Sequence, residues 1–305
     1  MEVILKTNDL SKRYGKKLVL NKVNMTIERG DIYGFVGENG SGKTTIIRLI
    51  CGLARPTSGS VQLFGKEDSA PEILEQRKKV GAVVETPSIY LNMSAQENLK
   101  MQCDILGIKN NARISEVLQT VGLGHLLGDK KHAGDFSLGM RQRLGIAMAL
   151  LGEPEFIILD EPMNGLDPAG IVDIRELILK LNKQNNITFL VSSHILSELS
   201  LVATKYGIIS KGKLIKEISA TDLERESGKS LYLESDDNER LFAVVKEIYD
   251  GHVDREGNGV RVYGDINLNE FLTKVMEKCT LTMVNNSRTG IEDYYLSMMG
   301  GGKNA

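Results

Sequence analysis

Gly37, Gly42, Lys43 and Thr44 stand at the spacing G-x-x-x-x-G-K-[ST] within residues 37–45, GENGSGKTT. That pattern suits a polyphosphate. Backbone N–H groups must turn inward on the phosphates, so glycine is wanted where the chain curls tightly and a Cβ would hold the anion off. Lys43 supplies a point charge toward the β- and γ-phosphates. The Thr44 hydroxyl is sized to reach Mg²⁺, and a helix starting here aims its positive end at the anion. Asn39, Gly40, Ser41 and Thr45 complete the expected lining of the loop.

Two acids and a histidine stand where they could act on a nucleotide held there. Residues 156–159 are an apolar run too short for a helix, ending in Asp160 and Glu161 ahead of Pro162. A buried parallel strand would present both acids at its carboxyl end, in the crevice where α/β sheets bind ligands. Asp160 would hold Mg²⁺ through water, and Glu161 would orient or deprotonate an attacking water. A second buried run, ITFLVSSH, ends in His194; histidine is more often structural, but at a strand end it could reach a γ-phosphate.

The elements around the loop are in the order this chemistry needs. DIYGFV before it reads as a strand, and TIIRLICGL after it carries apolar residues at helical spacing as far as Gly52. A glycine-rich surface turn would not require that context. Residues 2–36 read as two antiparallel strands joined at Tyr14, Gly15 and Lys16. Tyr14 either stacks on an adenine face or is a half-buried strand tyrosine. Farther on, a strand ends in Glu85, and a proline-containing loop leads to a helix with Ser94 as cap and Glu97 as its capping-box partner. Helical pieces continue to about residue 153. The last is FSLGMRQRLGIAMALL, with Ser137 at its start and Arg141 and Arg143 early, against the helix dipole.

Composition sets limits. With 38 basic and 40 acidic residues, net charge −2, nothing in the electrostatics calls for nucleic acid, and 41% hydrophobic residues suffice for a real core. Cys51, Cys103 and Cys279 form no disulfide or zinc pattern, which suits a reducing cytosol. No apolar run reaches the roughly 18–20 residues of a membrane helix, and the start of the chain lacks a signal-peptide pattern. Work at a membrane would therefore need spanning helices from another polypeptide.

Phosphate loop, SLGM helix, Asp-Glu strand end, GLD turn and strand-end histidine follow in one order. In this the chain resembles the ATP-binding subunit of an ABC transporter, and SLGMRQRLGIA, Glu85 and IEDYYLSMMGG resemble the bacitracin-resistance and lantibiotic-immunity exporters. The resemblance implies a P-loop NTPase of ABC type over residues 1–218: an α/β fold whose mixed sheet core carries an N-terminal antiparallel β part and a helical insertion at about 86–153. It implies ATP and Mg²⁺ as ligands, with Lys43, Glu161 and His194 catalytic and Thr44, Glu85 and Asp160 at the metal. Two copies would meet head to tail, Ser137 and Gly139 of one touching the other's ATP and Asp167 lying across the same seam. A homodimer would drive a separate membrane permease from the cytoplasmic side, with residues 86–100 as the docking loop. Two positions depart from the family: the usual LSGGQ is FSLGM here, and the usual glutamine is Glu85. A carboxylate can still bind Mg²⁺ or its water, but it cannot donate as an amide can.

Residues 219–305 read as a small α+β domain: a polar helical link, then strands at SLYLES, VRVYGD and LTMVN alternating with helices, the last at IEDYYLSMM. An ABC-type ATPase acting on DNA or ribosomes is a second reading, which salt-sensitive nucleic-acid binding would favour. A nucleotide sensor without turnover is a third.

Overall fold

Near the amino terminus, alternation of buried and exposed side chains builds an antiparallel sheet. The structure, a computed structural model, describes residues 2–110, 112–226, 229–264 and 266–288. β1 (Val3–Tyr14) turns at Gly15, whose φ of +55° favours glycine, into β2 (Lys17–Val23). The expected second strand then breaks, and β3 (Thr26–Glu28) resumes pairing farther along β1. Asn24 causes the break: its amide bonds the Asp9 carboxylate at 3.0 Å and its carbonyl accepts from Asp9 N at 2.6 Å, replacing the ladder there.

β4 (Ile32–Val36) leads through the glycine loop to α1 (Lys43–Ile50). β5 (Ser58–Leu63) and β6 (Lys66–Glu67) extend the first sheet, and α2 (Ile73–Arg77) leads to β7 (Val80–Val83). The helical insertion follows as α3 (Ala95–Leu106), α4 (Ala112–Thr120) and α5 (Leu138–Leu150), with short 3₁₀ turns at Gly124–Leu126 and Ala133–Asp135. The capping box expected at Ser94 and Glu97 opens α3 with both reciprocal bonds in place. Then come β8 (Phe156–Asp160), α6 (Pro168–Asn185), β9 (Thr188–Ser193), α7 (Leu196–Ser200), β10 (Lys205–Ser210) and β11 (Lys213–Ser219).

Among the described residues, β11-β10-β4-β9-β8-β7 form the central sheet, parallel except for β11. Its middle strands β4, β8 and β9 are buried at every position, as continuous apolar runs in a sheet covered on both faces must be. Phe35, Phe156 and Phe189 are fully buried, each worth about 1.5–3 kcal/mol in area removed from water. No described helix is long and apolar enough to cross a membrane.

The chain divides into two compact units, Met1–Ser219 and Ala220–Ala305. The second begins with α8 (Ala220–Glu226) and continues as β12 (Lys229–Ser235), α9 (Asn238–Ile248), β13 (Val253–Glu256), β14 (Gly259–Tyr263), α10 (Leu268–Met276) and β15 (Leu281–Arg288). The sheet order β13-β14-β12-β15, antiparallel throughout, is the split βαβ arrangement of a βαββαβ chain. β13 was not expected from the sequence, because its exposed residues Asp254, Arg255 and Glu256 hide the strand in polarity. Leu231, Leu233, Val245, Val262 and Phe271 form its core. The helix expected at IEDYYLSMM lies outside the described residues.

Candidate functional site

Strand register assembles the site. In the parallel ladders, Val36 of β4 faces Ser193 of β9, and Ser192 faces Asp160 of β8. Three strands therefore end level, and the residues just past their carboxyl ends converge: the glycine loop, Glu161 and His194. This is the crevice position at which open α/β sheets hold ligands.

Glycine geometry fixes the loop. A Cβ on Gly37 would lie 2.4 Å from the Ile209 carbonyl, and one on Gly42, at φ +116°, would lie 2.6 Å from Leu20 Cδ2. Leu20 belongs to β2, so the antiparallel sheet abuts the loop directly. Gly212 N donates to Ser41 O at 2.9 Å while its own carbonyl accepts from Asn21 N, a second tie between β2 and the loop. Asn39 and Gly40 are exposed at the turn, and Thr44 and Thr45 are half-buried in the first turn of α1.

Lys43 is 5% exposed, and a buried ammonium needs partners. Its Nζ donates to the carbonyls of Gly37 and Glu38 and lies 3.2 Å from Glu161 Oε1, an ion pair without hydrogen-bonding alignment. The other carboxylate oxygen, Oε2, is 2.8 Å from His194 Nδ1. Glu161 itself has φ +51°, a left-handed backbone that a non-glycine residue adopts at a cost and that clusters at functional sites. Its amide is secured by Ser192 Oγ at 2.9 Å, and the same hydroxyl donates to Asp160 Oδ1 at 2.6 Å.

Three buried oxygens here are without hydrogen-bond partners: Ser41 Oγ, Asp160 Oδ2 and Glu161 Oε1. Buried oxygens are normally satisfied, so a cluster of orphans marks a place for a polar ligand. A magnesium ion fits this donor set, since Mg²⁺ keeps several waters and takes only one or two carboxylates beside substrate phosphates. No described cluster of three His, Cys, Asp or Glu side chains would hold a metal by itself. At the far end of α1 from the loop, Cys51 is no nucleophile, because burial pushes its thiol up to about 12.

Other expected residues sit apart from this cluster. Tyr14, at the end of β1, is 47% exposed, with the Lys12 ammonium 4.9 Å from its ring centroid. Ser137 caps α5 through Met140 N, and Asp167 caps α6 through Gly170 N at 2.8 Å. Together with Gly139 and Leu166 they line one cleft of about 370 Å³. Glu85 does not reach the acid cluster as expected. β7 ends at Val83, and the Glu85 carboxylate is taken by Arg48 Nη2 at 2.7 Å.

Ser192 and Asn98 are the residues that sequence reasoning missed. Ser192 has a readable signal, a small polar residue at the end of an apolar strand just before the histidine. Asn98 has none: fully buried, it donates to the carbonyls of Tyr90 and Ser94 and accepts from Tyr90 N, closing the loop ahead of α3 on itself.

Comparison with known proteins agrees with this geometry. The ABC transporter family model matches residues 20–164. The chain is 42% identical over 309 residues to the bacitracin transport ATP-binding protein BcrA of Bacillus licheniformis, covering 99% of each. It is 44% identical over 214 residues to the lantibiotic transport ATP-binding protein SrtF of Streptococcus pyogenes, 70% of this chain and 90% of that one. Among solved structures, cbiO1 from Clostridium perfringens, part of the ABC transporter complex cbiONQ, superposes with TM-score 0.66 at 27% identity, over 74% of this chain and 92% of that one. The chain belongs to the ATP-binding subunits of ABC transporters, the ATPase cassettes that split ATP into ADP and phosphate.

Proposed function

We propose that this ATPase works as a pair of copies around two ATP molecules and drives export of an antimicrobial peptide or drug through a permease supplied by another chain. Residues 1–218 are the ATP-binding domain and 219–305 an accessory domain. The observation that carries the reading is Glu161, held between Lys43 and His194 beside the unpartnered Asp160 Oδ2.

Residues 37–45 wrap the phosphates, and incoming phosphate oxygens compete for Lys43, which then releases Glu161. Glu161 takes a proton from the attacking water, and His194 orients Glu161 and reaches the γ-phosphate. Thr44 and Asp160 would hold Mg²⁺, which when bound would neutralise phosphate charge. Tyr14 stacks on adenine with the ring face left open by Lys12. The cleft with Ser137, Gly139 and Asp167 receives the second copy's nucleotide, with the amino terminus of α5 aimed at phosphate.

Bacitracin and lantibiotic transport, in the names of BcrA and SrtF, supports the cargo class. Half-exposed Tyr90 and Leu91, in the loop before α3, give the permease an apolar footing on the cytoplasmic face of the membrane. The test is ATP hydrolysis across a protein-concentration series with Mg²⁺. A rate rising faster than linearly supports a two-copy site. Nucleotide binding without turnover, alone and with candidate permeases, would sink the ATPase cycle in favour of a sensor.

A further inference from the structure

Two hairpin tips stand beside the glycine loop, and both are basic. The tip between β10 and β11 is Lys211-Gly212, with both residues at positive φ, +47° and +78°, in a turn whose first position ordinarily takes Asn, Asp or Gly. Gly212 N donates to Ser41 O at 2.9 Å, so the Cα atoms of Lys211 and Lys213 lie within about 10 Å of the loop backbone. The tip between β1 and β2 carries Arg13, Lys16 and Lys17 around Tyr14, with Lys17 opposite Tyr14 in the ladder, and β2 abuts the loop through Leu20. Lys16, Lys17, Lys211 and Lys213 are exposed and, among the described residues, form no ion pair. The acids on the loop and these strands are Glu38, exposed in the loop itself, Asp9, held by the Asn24 amide, and Glu217, paired with Lys205 at 3.5 Å.

We propose that Lys16, Lys17, Lys211 and Lys213 form an electrostatic collar that draws nucleotide to the loop, raising its association rate without holding it once bound. This rests on reading residues 37–45 as the nucleotide site. An exposed ammonium gains little from direct pairing, because water competes for it. Its field reaches farther. Two unit charges about 10 Å apart in water interact at roughly 0.7 of the thermal energy, and the several charges of a polyphosphate multiply that for each lysine. The chain as a whole has a net charge of −2 and would weakly repel an anion. The collar reverses that sign where the phosphates enter.

The experiment is stopped-flow binding of a fluorescent ATP analogue with Mg²⁺ to the full chain, read as association and dissociation rates. Salt is set at about 0.01 M and about 1 M, where charges are felt to about 30 Å and about 3 Å. One variant combines Lys211→Gln with Lys213→Gln, and another combines Lys16→Gln with Lys17→Gln. The control, Lys180→Gln with Lys183→Gln, removes the same charge from exposed positions of α6 at the other end of the central sheet, where Asn182 bonds Gly30 ahead of β4. Each collar variant is expected to lower the low-salt association rate about three- to tenfold, to leave dissociation unchanged and to match wild type at high salt. The control should match wild type at both. An equal loss in the control overturns the proposal, since the effect would then belong to the net charge of the chain. Faster dissociation in the collar variants also overturns it, by making the lysines contacts of the bound nucleotide. If wild type binds no analogue, the nucleotide-site reading fails and the collar falls with it; wild-type association by both collar variants at low salt sinks the collar alone.

Discussion

The hydroxyl of Ser192 donates to Asp160 Oδ1 at 2.6 Å and leaves Oδ2 of the same carboxylate buried without a partner. One oxygen is fixed so that the other can be offered. The hydroxyl also accepts from Glu161 N, so a single side chain of β9 sets both acids at the end of β8. Partners that orient a metal's ligands typically matter by about 10–100-fold. Ser192→Ala is expected to weaken Mg²⁺-dependent nucleotide binding by that order while metal-free nucleotide binding persists, read by titrating Mg²⁺ against a fluorescent ATP analogue. Equal loss with and without metal would place Ser192 in folding rather than in the site.

Glu161→Gln keeps the size and the bond to His194 but removes the base. Turnover is expected to fall by about 10²–10⁴-fold with ATP binding retained. Phosphate release measured beside nucleotide binding checks this, and size-exclusion chromatography with ATP should show the variant accumulating as a pair. A variant that turned over at the wild-type rate would remove Glu161 from the mechanism.

Gly37→Ala pushes a methyl to within 2.4 Å of a backbone carbonyl that cannot rotate away. Overpacking of this kind costs about 1–3 kcal/mol. Thermal denaturation should show a Tm lowered by several degrees together with weakened nucleotide binding; an unchanged Tm would mean that the loop has room to spare.

Asn98→Ala leaves the amide and carbonyl of Tyr90 and the carbonyl of Ser94 without their side-chain partner. About 1–3 kcal/mol should be lost, chiefly from residues 90–94. Limited proteolysis is expected to cut first in that segment in the variant and not in wild type. Unaltered cleavage would show that the Ser94 capping box alone holds the loop.

Cys51 carries a pH signature. Its folded value, about 12, lies above its ordinary value, so the unfolded chain gives up the proton first as pH rises. Its contribution to stability is complete below the ordinary thiol range and is lost as pH climbs toward about 12. Replacing Cys51 by Ala should flatten the alkaline limb of a stability-versus-pH curve. In the native protein at pH 8, Cys51 should resist iodoacetamide until denaturant is added, whereas rapid native labelling would contradict its burial.

Much of this was legible in the chain itself. Residues 37–45 encode their turn locally, because glycine spacing and the Lys-Thr pair act within nine residues. Buried strands announce themselves as short apolar runs, and Ser94, Glu97 and Ser137 mark helix starts through bonds that span three residues. Polar strands carry no such mark. β13 is one, and it became a strand only by pairing with β14.

What joins residues far apart in sequence was decided by tertiary structure. Ser192 meets Asp160, and His194 meets Glu161, through the register of β8 against β9, which no local pattern records. Glu85 and Arg48 are each unremarkable in sequence, and their ion pair exists because β7 and α1 bring the two charges to one face. Asn98 looks like any helix asparagine until the preceding loop folds back over it. Sequence by itself determined the phosphate loop, the acids and the helix caps, since those interactions are short in range. Register, burial and the partners of each charge were decided by packing, because those depend on which distant strands and helices share a boundary.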